Sequence, residues 1–100
     1  MGFKAAFMFI APKTDPKTHR SAVKTPVVEL ITIGVSTYTE AASEAKKLVA
    51  QGVTAIELCA GFGHEGTAKV AKAVKDKAVV GVVRFDLHPG FKHQSGDTLF

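Results

Sequence analysis

Apolar and polar residues follow one another along the chain in segments whose periods are those of strands and helices. Four apolar, β-branched runs have the length and composition of buried strands. These runs are Phe3–Ala11, Val27–Val35, Val53–Ala60 and Ala78–Leu87. Glycine or proline lies at or close to the end of each run, which indicates where the strands stop.

Three helices are predicted between these strands. Asp15-Pro16 combines an N-cap residue with proline at the first helical position and predicts a short helix over residues 16–24. The Thr37–Glu40 segment has capping-box spacing and begins a second helix, which ends before Gly52. The third helix is indicated by a mostly apolar stripe of Thr67, Val70, Ala71 and Val74, which lies opposite three lysines.

The resulting order, β-α-β-α-β-α-β, predicts a single α/β domain over residues 1–100 with a four-stranded, mainly parallel sheet. Crossover connections in such sheets are right-handed, so a strand order that progresses in one direction places the helices mainly on one face. The first helix is short, and the direction of the first strand is left open.

One face of this predicted sheet has no helix left to cover it. Alternation along the strands assigns Ile31, Ile33, Val80 and Val82 to that face. Parallel sheets are rarely exposed on either side, and an uncovered apolar patch typically marks an interface. We therefore expect the protein to be a homo-oligomer.

Composition narrows the class of protein. With 46% apolar and 22% charged residues, the chain can form one modest core. No apolar run has the length of a membrane span and no cleavage signal follows the N-terminus, so we expect no membrane partner and a cytoplasmic location.

The single cysteine excludes an intrachain disulfide framework. The net charge of +4 is spread along the chain without interleaved aromatic residues, so no specific nucleic-acid partner is expected.

The segment Gly61–Gly66 reads G-x-G-x-x-G between a predicted strand and a predicted helix. Glycines in such a turn let backbone N–H groups approach a phosphate, and the helix N-terminus adds partial positive charge. Asp86 lies 20 residues after Gly66, the spacing of the ribose-binding acid in dinucleotide sites. Three interpretations remain open: a tight turn that permits close packing, a site for a small anion, or a dinucleotide site. Glu65 opposes the last two, because its carboxylate repels an anion.

A second group of polar residues falls on one face of the sheet, toward the carboxyl ends of the strands, where open parallel sheets bind ligands. The group consists of Glu57, Cys59, Arg84, Asp86 and His88. Glu57 and Arg84 form either a structural ion pair across neighbouring strands or part of a polar pocket. In a pocket, Arg84 binds an anion and Asp86 or His88 transfers a proton. The ligand-binding candidates are Gly61, Gly63, His64, Gly66 and Arg84.

Cys59 is either a small buried apolar residue or a nucleophile, for which His64 is the candidate base. The catalytic candidates are therefore Asp86, His88 and Cys59. Together with Asp86, the three histidines His64, His88 and His93 also have the chemistry of metal ligands, but their spacings match no known ligand motif. We therefore assign no metal ligands and leave the cofactor unknown.

Two stretches of the chain resemble a known family. They are residues 55–63, AIELCAGFG, and residues 81–86, GVVRFD, the latter followed by His88-Pro89-Gly90. Over nearly its whole length, including Thr25-Pro26 and Ser95-Gly96-Asp97, the chain is similar to an uncharacterised family of small prokaryotic proteins, a domain of unknown function of about this length. The resemblance implies a free-standing α/β domain and carries no activity, substrate or catalytic residue.

Three functions remain open from the sequence. The first is a domain that binds a small molecule or anion at the strand carboxyl ends, near the glycine-rich turn. The second is a structural homo-oligomerisation domain without catalysis. The third is a metal- or cysteine-dependent enzyme, so the sequence leaves open whether the chain is an enzyme.

Overall fold

Five strands and two helices form in residues 2–100, the part of the chain that the computed structural model describes. The strands are β1 (Phe3–Ile10), β2 (Arg20–Lys24), β3 (Val28–Val35), β4 (Ala55–Leu58) and β5 (Val79–Val82). The helices are α1 (Tyr38–Ala50) and α2 (His64–Ala73), followed by two short 3₁₀ helices, Pro89–Phe91 and Gly96–Thr98. No helix within residues 2–100 is long and apolar enough to cross a membrane.

The strands form one sheet in the order β2-β3-β1-β4-β5. β1 lies between β3 and β4 and is parallel to both, and β4 is parallel to β5. β2, at one edge, is antiparallel to its neighbour β3. The α/β class and the mostly parallel sheet are therefore confirmed. The expected four strands, with three helices between them, are replaced by five strands and two helices.

The helix predicted over residues 16–24 is wrong, because this segment is a turn followed by β2. The side chain of Asp15 accepts a hydrogen bond from the Lys17 N–H (2.9 Å), and its carbonyl accepts one from the His19 N–H (2.8 Å). The Asp15-Pro16 signal therefore begins a single turn. Residues 20–24 then pair with β3. A short exposed helix is marginally stable in water, whereas pairing with β3 gives every second residue backbone hydrogen bonds.

Two predicted strands are longer than the observed ones. The strand predicted over Val53–Ala60 is confined to β4, and the one predicted over Ala78–Leu87 is confined to β5. β5 ends where its neighbour ends, and the last ladder bond runs from the N–H of Val83 to the carbonyl of Leu58 at 3.1 Å. The chain then leaves the sheet and folds back to the start of α2.

α1 and α2 pack side by side against one face of the sheet. α1 begins as predicted, because the Thr37 hydroxyl accepts a hydrogen bond from the Glu40 N–H at 3.0 Å and the Glu40 carboxylate accepts one from the Ser36 N–H at 2.8 Å. Between helices and sheet lies a core of fully buried side chains. It includes Met8, Ile33, Leu48, Ile56, Leu58, Phe62, Val70 and Val74.

The residues of β3 and β5 that were assigned to a helix-free face lie on the face that the helices cover, whereas Glu57 of β4 lies on the other face. Ile31 and Ile33 are buried in the core, and Val80 packs against the same cluster. The alternation of β3 is ambiguous because Leu30 and Ile31, which point to opposite faces, are both apolar.

The other face of the sheet carries no helix of residues 2–100, and we call it the open face. Its side chains are set by the register of the strands and are mostly apolar. The apolar ones are Phe3, Ala5, Phe7, Phe9, Val23, Val28, Leu30, Ala55, Val79 and, just after β5, Val83. Val23 and Val79, on the two edge strands, are 62% and 70% exposed.

We expect Ile33→Ala to lower the free energy of unfolding by about 2–5 kcal/mol, because it leaves a cavity beneath the helices. Val27→Ala, at an exposed position in the turn before β3, is the control and changes stability by less than about 0.5 kcal/mol. Urea unfolding of both variants measures the difference. Equal effects would contradict the assignment of Ile33 to the core.

Candidate functional site

The N-terminus of α2 is capped by a carboxylate from the far end of the chain. Gly63 is the N-cap residue and has no side chain to cap the helix. The carboxylate of Asp97 accepts hydrogen bonds from the N–H groups of Glu65 (3.1 Å) and Gly66 (3.2 Å). These free N–H groups and the helix dipole favour negative charge. The chain's own acid therefore lies where the sequence placed an external anion.

Tyr38, the first residue of α1, connects the two helix starts through this carboxylate. Its hydroxyl donates a hydrogen bond to Asp97 Oδ1 at 2.7 Å and accepts one from the Gly63 N–H at 3.1 Å. The ring stacks on Phe62, with 5.8 Å between centroids, and lies 6.2 Å from the ring of Phe100. We call Tyr38, Gly63 and Asp97, with the Glu65 and Gly66 N–H groups, the helix-start cluster.

The cluster changes the acidity of both of its titratable side chains. Burial raises the pKa of the Tyr38 hydroxyl, and the hydrogen bond from Gly63 opposes this only partly. Burial also acts to raise the pKa of the Asp97 carboxyl, but hydrogen bonds from Glu65, Tyr38 and Gly66 outweigh it. The pKa of Asp97 is therefore lowered, and the cluster holds a carboxylate beside a neutral phenol.

The glycines of the G-x-G-x-x-G segment are explained by close packing. A Cβ at Gly63 would overlap the Asp97 carboxylate, and one at Gly66 would overlap the Tyr38 ring. At Gly61 a Cβ would lie 2.7 Å from Cγ2 of Ile10. None of these three glycines has a positive φ, so the requirement is for space rather than for a left-handed backbone.

A cleft of about 290 Å³ lies beside the helix-start cluster, between α2 and the segment that comes after β5. Its lining residues are Phe62, Gly63, His64, Thr67, Ala68, Val82 and Arg84. The structure thus brings together three of the predicted ligand-binding residues: Gly63, His64 and Arg84. Gly61 and Gly66 do not line the cleft. We call this space the Arg84 cleft.

Arg84 pairs with Asp86 rather than with Glu57. Its Nε donates to Asp86 Oδ1 at 2.7 Å, and this hydrogen bond lowers the pKa of the Asp86 carboxyl. The predicted interaction of Arg84 with Glu57 is wrong, because Arg84 lines a cleft on the helix side and Glu57 lies on the open face. The register pairs Glu57 with Gly81, so Arg84, three residues further on, would face the opposite side of the sheet even if β5 continued past Val82.

His88 is held in an aromatic cluster at the start of the first 3₁₀ helix. Its Nδ1 accepts a hydrogen bond from the Gly90 N–H at 3.0 Å. The ring stacks on Phe91, with 4.0 Å between centroids, and Phe85 approaches it edge-on at 5.3 Å. The ring therefore caps and packs this segment, which leaves Nε2 as the nitrogen not engaged by the cap.

Cys59 is half-buried after β4, and its Sγ accepts a hydrogen bond from the Gly61 N–H at 3.3 Å. No hydrogen bond joins Cys59 to His64 within residues 2–100. In the same range, no group of three or more His, Cys, Asp or Glu side chains is close enough together to hold a metal ion. The three catalytic candidates, Cys59, Asp86 and His88, share no hydrogen bond with one another in the described chain.

A larger surface depression, about 510 Å³, lies at the amino ends of the strands. One of its two lysines, Lys4, is already engaged, because Nζ donates to the Gln51 carbonyl at 2.9 Å and lies 3.9 Å from a Glu29 oxygen. Ligands of open parallel sheets bind at the carboxyl ends instead. The Arg84 cleft is therefore the better candidate despite its smaller volume.

The chain is an α/β domain in which two helices cover one face of the sheet and the helix-start cluster joins them. The chain belongs to a family of unknown function (DUF6506), whose model matches residues 3–98. The resemblance to an uncharacterised family of this size is thereby confirmed. No curated protein matches the chain, and no solved structure matches it. The family assigns no activity, so any function has to be argued from the residues.

Sequence reasoning missed Asp97 and Tyr38. In the sequence each residue appears only as part of a local pattern, Tyr38 in the Thr37–Glu40 capping box and Asp97 in Ser95-Gly96-Asp97. One signal was available: α2 starts at Gly63 without an N-cap side chain, so an acceptor from elsewhere in the chain is required. Which acid supplies it depends on the tertiary fold.

We expect Asp97→Asn to lower stability by about 1–2 kcal/mol at neutral pH, because it weakens a charged cap. The pKa of Asp97 is lower in the folded state, so its contribution is present above the unfolded value of about 3.9 and is lost as the pH falls through the lower, folded value. Unfolding curves from pH 7 to pH 2.5 should therefore converge for the two proteins. A constant difference across this range would contradict the charged cap.

A double-mutant cycle tests why position 63 is glycine. Gly63→Ala should cost about 1–2 kcal/mol, because its Cβ displaces the Asp97 carboxylate. In an Asp97→Ala background the same change should cost clearly less, since the overlap is gone. The cycle cancels the intrinsic preference for glycine over alanine at an N-cap. Additive losses in denaturant unfolding would show that Gly63 is needed for another reason.

Proposed function

We propose that this domain binds a small organic anion in the Arg84 cleft, at the carboxyl edge of the sheet. The observation that supports this best is the lining itself, in which Arg84 and His64 share a cleft with the apolar side chains of Phe62, Ala68 and Val82. Ligand sites typically combine an apolar lining with a few polar groups. Such a lining suits a carboxylate or phosphate that carries a short apolar group.

The polar groups of the cleft have hydrogen-bonding capacity to spare. Arg84 uses Nε for Asp86, and its two terminal nitrogens make no hydrogen bond with residues 2–100. The same range offers no hydrogen-bond partner to the His64 ring or to the Thr67 hydroxyl. A guanidinium presents five N–H donors in a planar fork. It can therefore keep its bond to Asp86 while its outer edge binds an oxyanion.

The helix-start cluster limits what kind of anion this site takes. The Glu65 and Gly66 N–H groups, which would bind a phosphate in a dinucleotide site, are used by Asp97. The ligand therefore lies beside the helix terminus rather than on it. This argues against the dinucleotide interpretation and for a ligand of a few heavy atoms, since the volume is at the low end for binding pockets.

Titration followed by backbone amide NMR tests the proposal, with inorganic phosphate and butyrate as probes at millimolar concentration. We expect the amides of Gly63, His64, Thr67 and Arg84 to shift and saturate. Arg84→Ala should weaken binding about tenfold or more, because a charged hydrogen bond is lost. Arg20→Ala, which removes an exposed arginine from the opposite edge of the sheet, is the control and should bind normally.

Two results would contradict this function. One is the absence of shifts around the cleft at millimolar probe. The other is equal binding by the protein with Arg84→Ala and by the unchanged protein. Enzymatic use of Asp86, His88 or Cys59 and a cytoplasmic location remain predictions.

A further inference from the structure

The open face is organised in rows that cross all five strands. The register aligns one row of apolar residues across the sheet. From β2 to β5 in sheet order, this row consists of Val23, Leu30, Ala5, Ala55 and Val79. The next row toward the carboxyl ends of the parallel strands is Ser21, Thr32, Phe7, Glu57 and Gly81. We call these the apolar row and the mixed row. All the hydroxyl and carboxylate groups of the two rows lie in the mixed row.

Glu57 supplies the only carboxylate of the two rows on this mostly apolar face. It makes no hydrogen bond or ion pair with any residue in the range 2–100. The Gly81 backbone beside it leaves a shallow depression of about 180 Å³, lined by Phe7, Glu57, Gly81 and Val83 among others. A cover made only of apolar groups would bury a charge without a partner, which costs several kcal/mol. Whatever covers the face must therefore present hydrogen-bond donors at Glu57.

We propose that a second copy of this chain covers the open face, related by a two-fold axis that runs parallel to β1 between the two sheets. Such an axis exchanges the left and right sides of the sheet and keeps each row at the same height. It therefore places Glu57 of one copy opposite Thr32 of the other, and Gly81 opposite Ser21. Two hydroxyl donors then lie near each carboxylate, and the contact is repeated twice because the interface is isologous.

A two-fold axis perpendicular to the strands would leave Glu57 without hydrogen-bond donors. Placed at the mixed row, it brings the two Glu57 carboxylates together, and like charges repel. Placed at the apolar row, it leaves Glu57 without a row of donors opposite. The position of Glu57 thus favours the axis along the strands. The strands of the two sheets then run within about 30° of each other, as is usual for stacked sheets.

The area of the face is sufficient for a reversible dimer. Strands of 4 to 8 residues, with about 4.8 Å between strands and 3.3 Å per residue, give on the order of 500 Å² per copy. The total of about 1,000 Å² is at the lower limit for specific interfaces. Phe3, Val23, Val79 and Val83 are each more than half exposed in the isolated chain, so the contact would bury mainly apolar surface. We therefore expect dissociation in the micromolar range.

Analytical ultracentrifugation of the full chain from about 1 to 500 μM tests the dimer. We expect a monomer–dimer equilibrium that Leu30→Glu shifts at least tenfold toward the monomer, because it adds a charge to the apolar row. Val27→Glu, which adds the same charge at an exposed position outside both rows, should dimerise normally. A monomer at every concentration would overturn the proposal.

Crosslinking tests the axis. In a Cys59→Ser background, Glu57→Cys and Thr32→Cys are made as separate proteins, checked for folding by amide NMR, and joined with a short bismaleimide. The proposed axis gives a crosslinked dimer when the two variants are mixed and little product from Glu57→Cys alone. Efficient self-crosslinking of Glu57→Cys would overturn the axis. The Arg84 cleft lies on the other face, so phosphate and butyrate titrations of Leu30→Glu test the proposed function separately.

Discussion

The hydrogen bonds of the Asp97 carboxylate join the starts of the two helices to the C-terminal segment, which the sheet does not hold. The donors are the Glu65 and Gly66 N–H groups at the start of α2 and the Tyr38 hydroxyl at the start of α1. The C-terminal segment is thereby fixed over the carboxyl edge of the sheet, and the glycines that precede α2 become a steric necessity. The Arg84 cleft exists beside this cluster because Phe62 and Gly63, which wall it, are held by the same contacts.

The two faces of the sheet are in opposite situations. The connections from β3 to β4 and from β4 to β5 progress in one direction across the sheet. Crossovers between parallel strands are right-handed, so both helices lie on one side. That side contains the core and the Arg84 cleft. The open face has the composition of a second core with a single acid in it. The topology therefore separates a candidate ligand site from a candidate interface, and each can change without the other.

How far the sequence predicts this structure depends on the distance over which each signal acts. The start of α1 was predictable because Thr37 and Glu40 satisfy neighbouring N–H groups within one turn. The Asp15-Pro16 signal is equally local, but pairing with β3 decides the conformation of the residues after the turn. His64 and Arg84 were correctly grouped by the rule that strand ends meet at one edge. Asp97 was not, because its partners lie 31 and 32 residues away along the chain.

The position of Asp97 in the chain also bears on how the fold is completed during synthesis. Translation is vectorial, and segments fold as they become available. All five strands and both helices precede Asp97, so α2 emerges before the carboxylate that caps it. Until then its first turn has free N–H groups and lacks the Tyr38 link to α1. The last native contacts of α2 therefore form late, and a ribosome-bound chain that ends before residue 97 holds the helix in a frayed state.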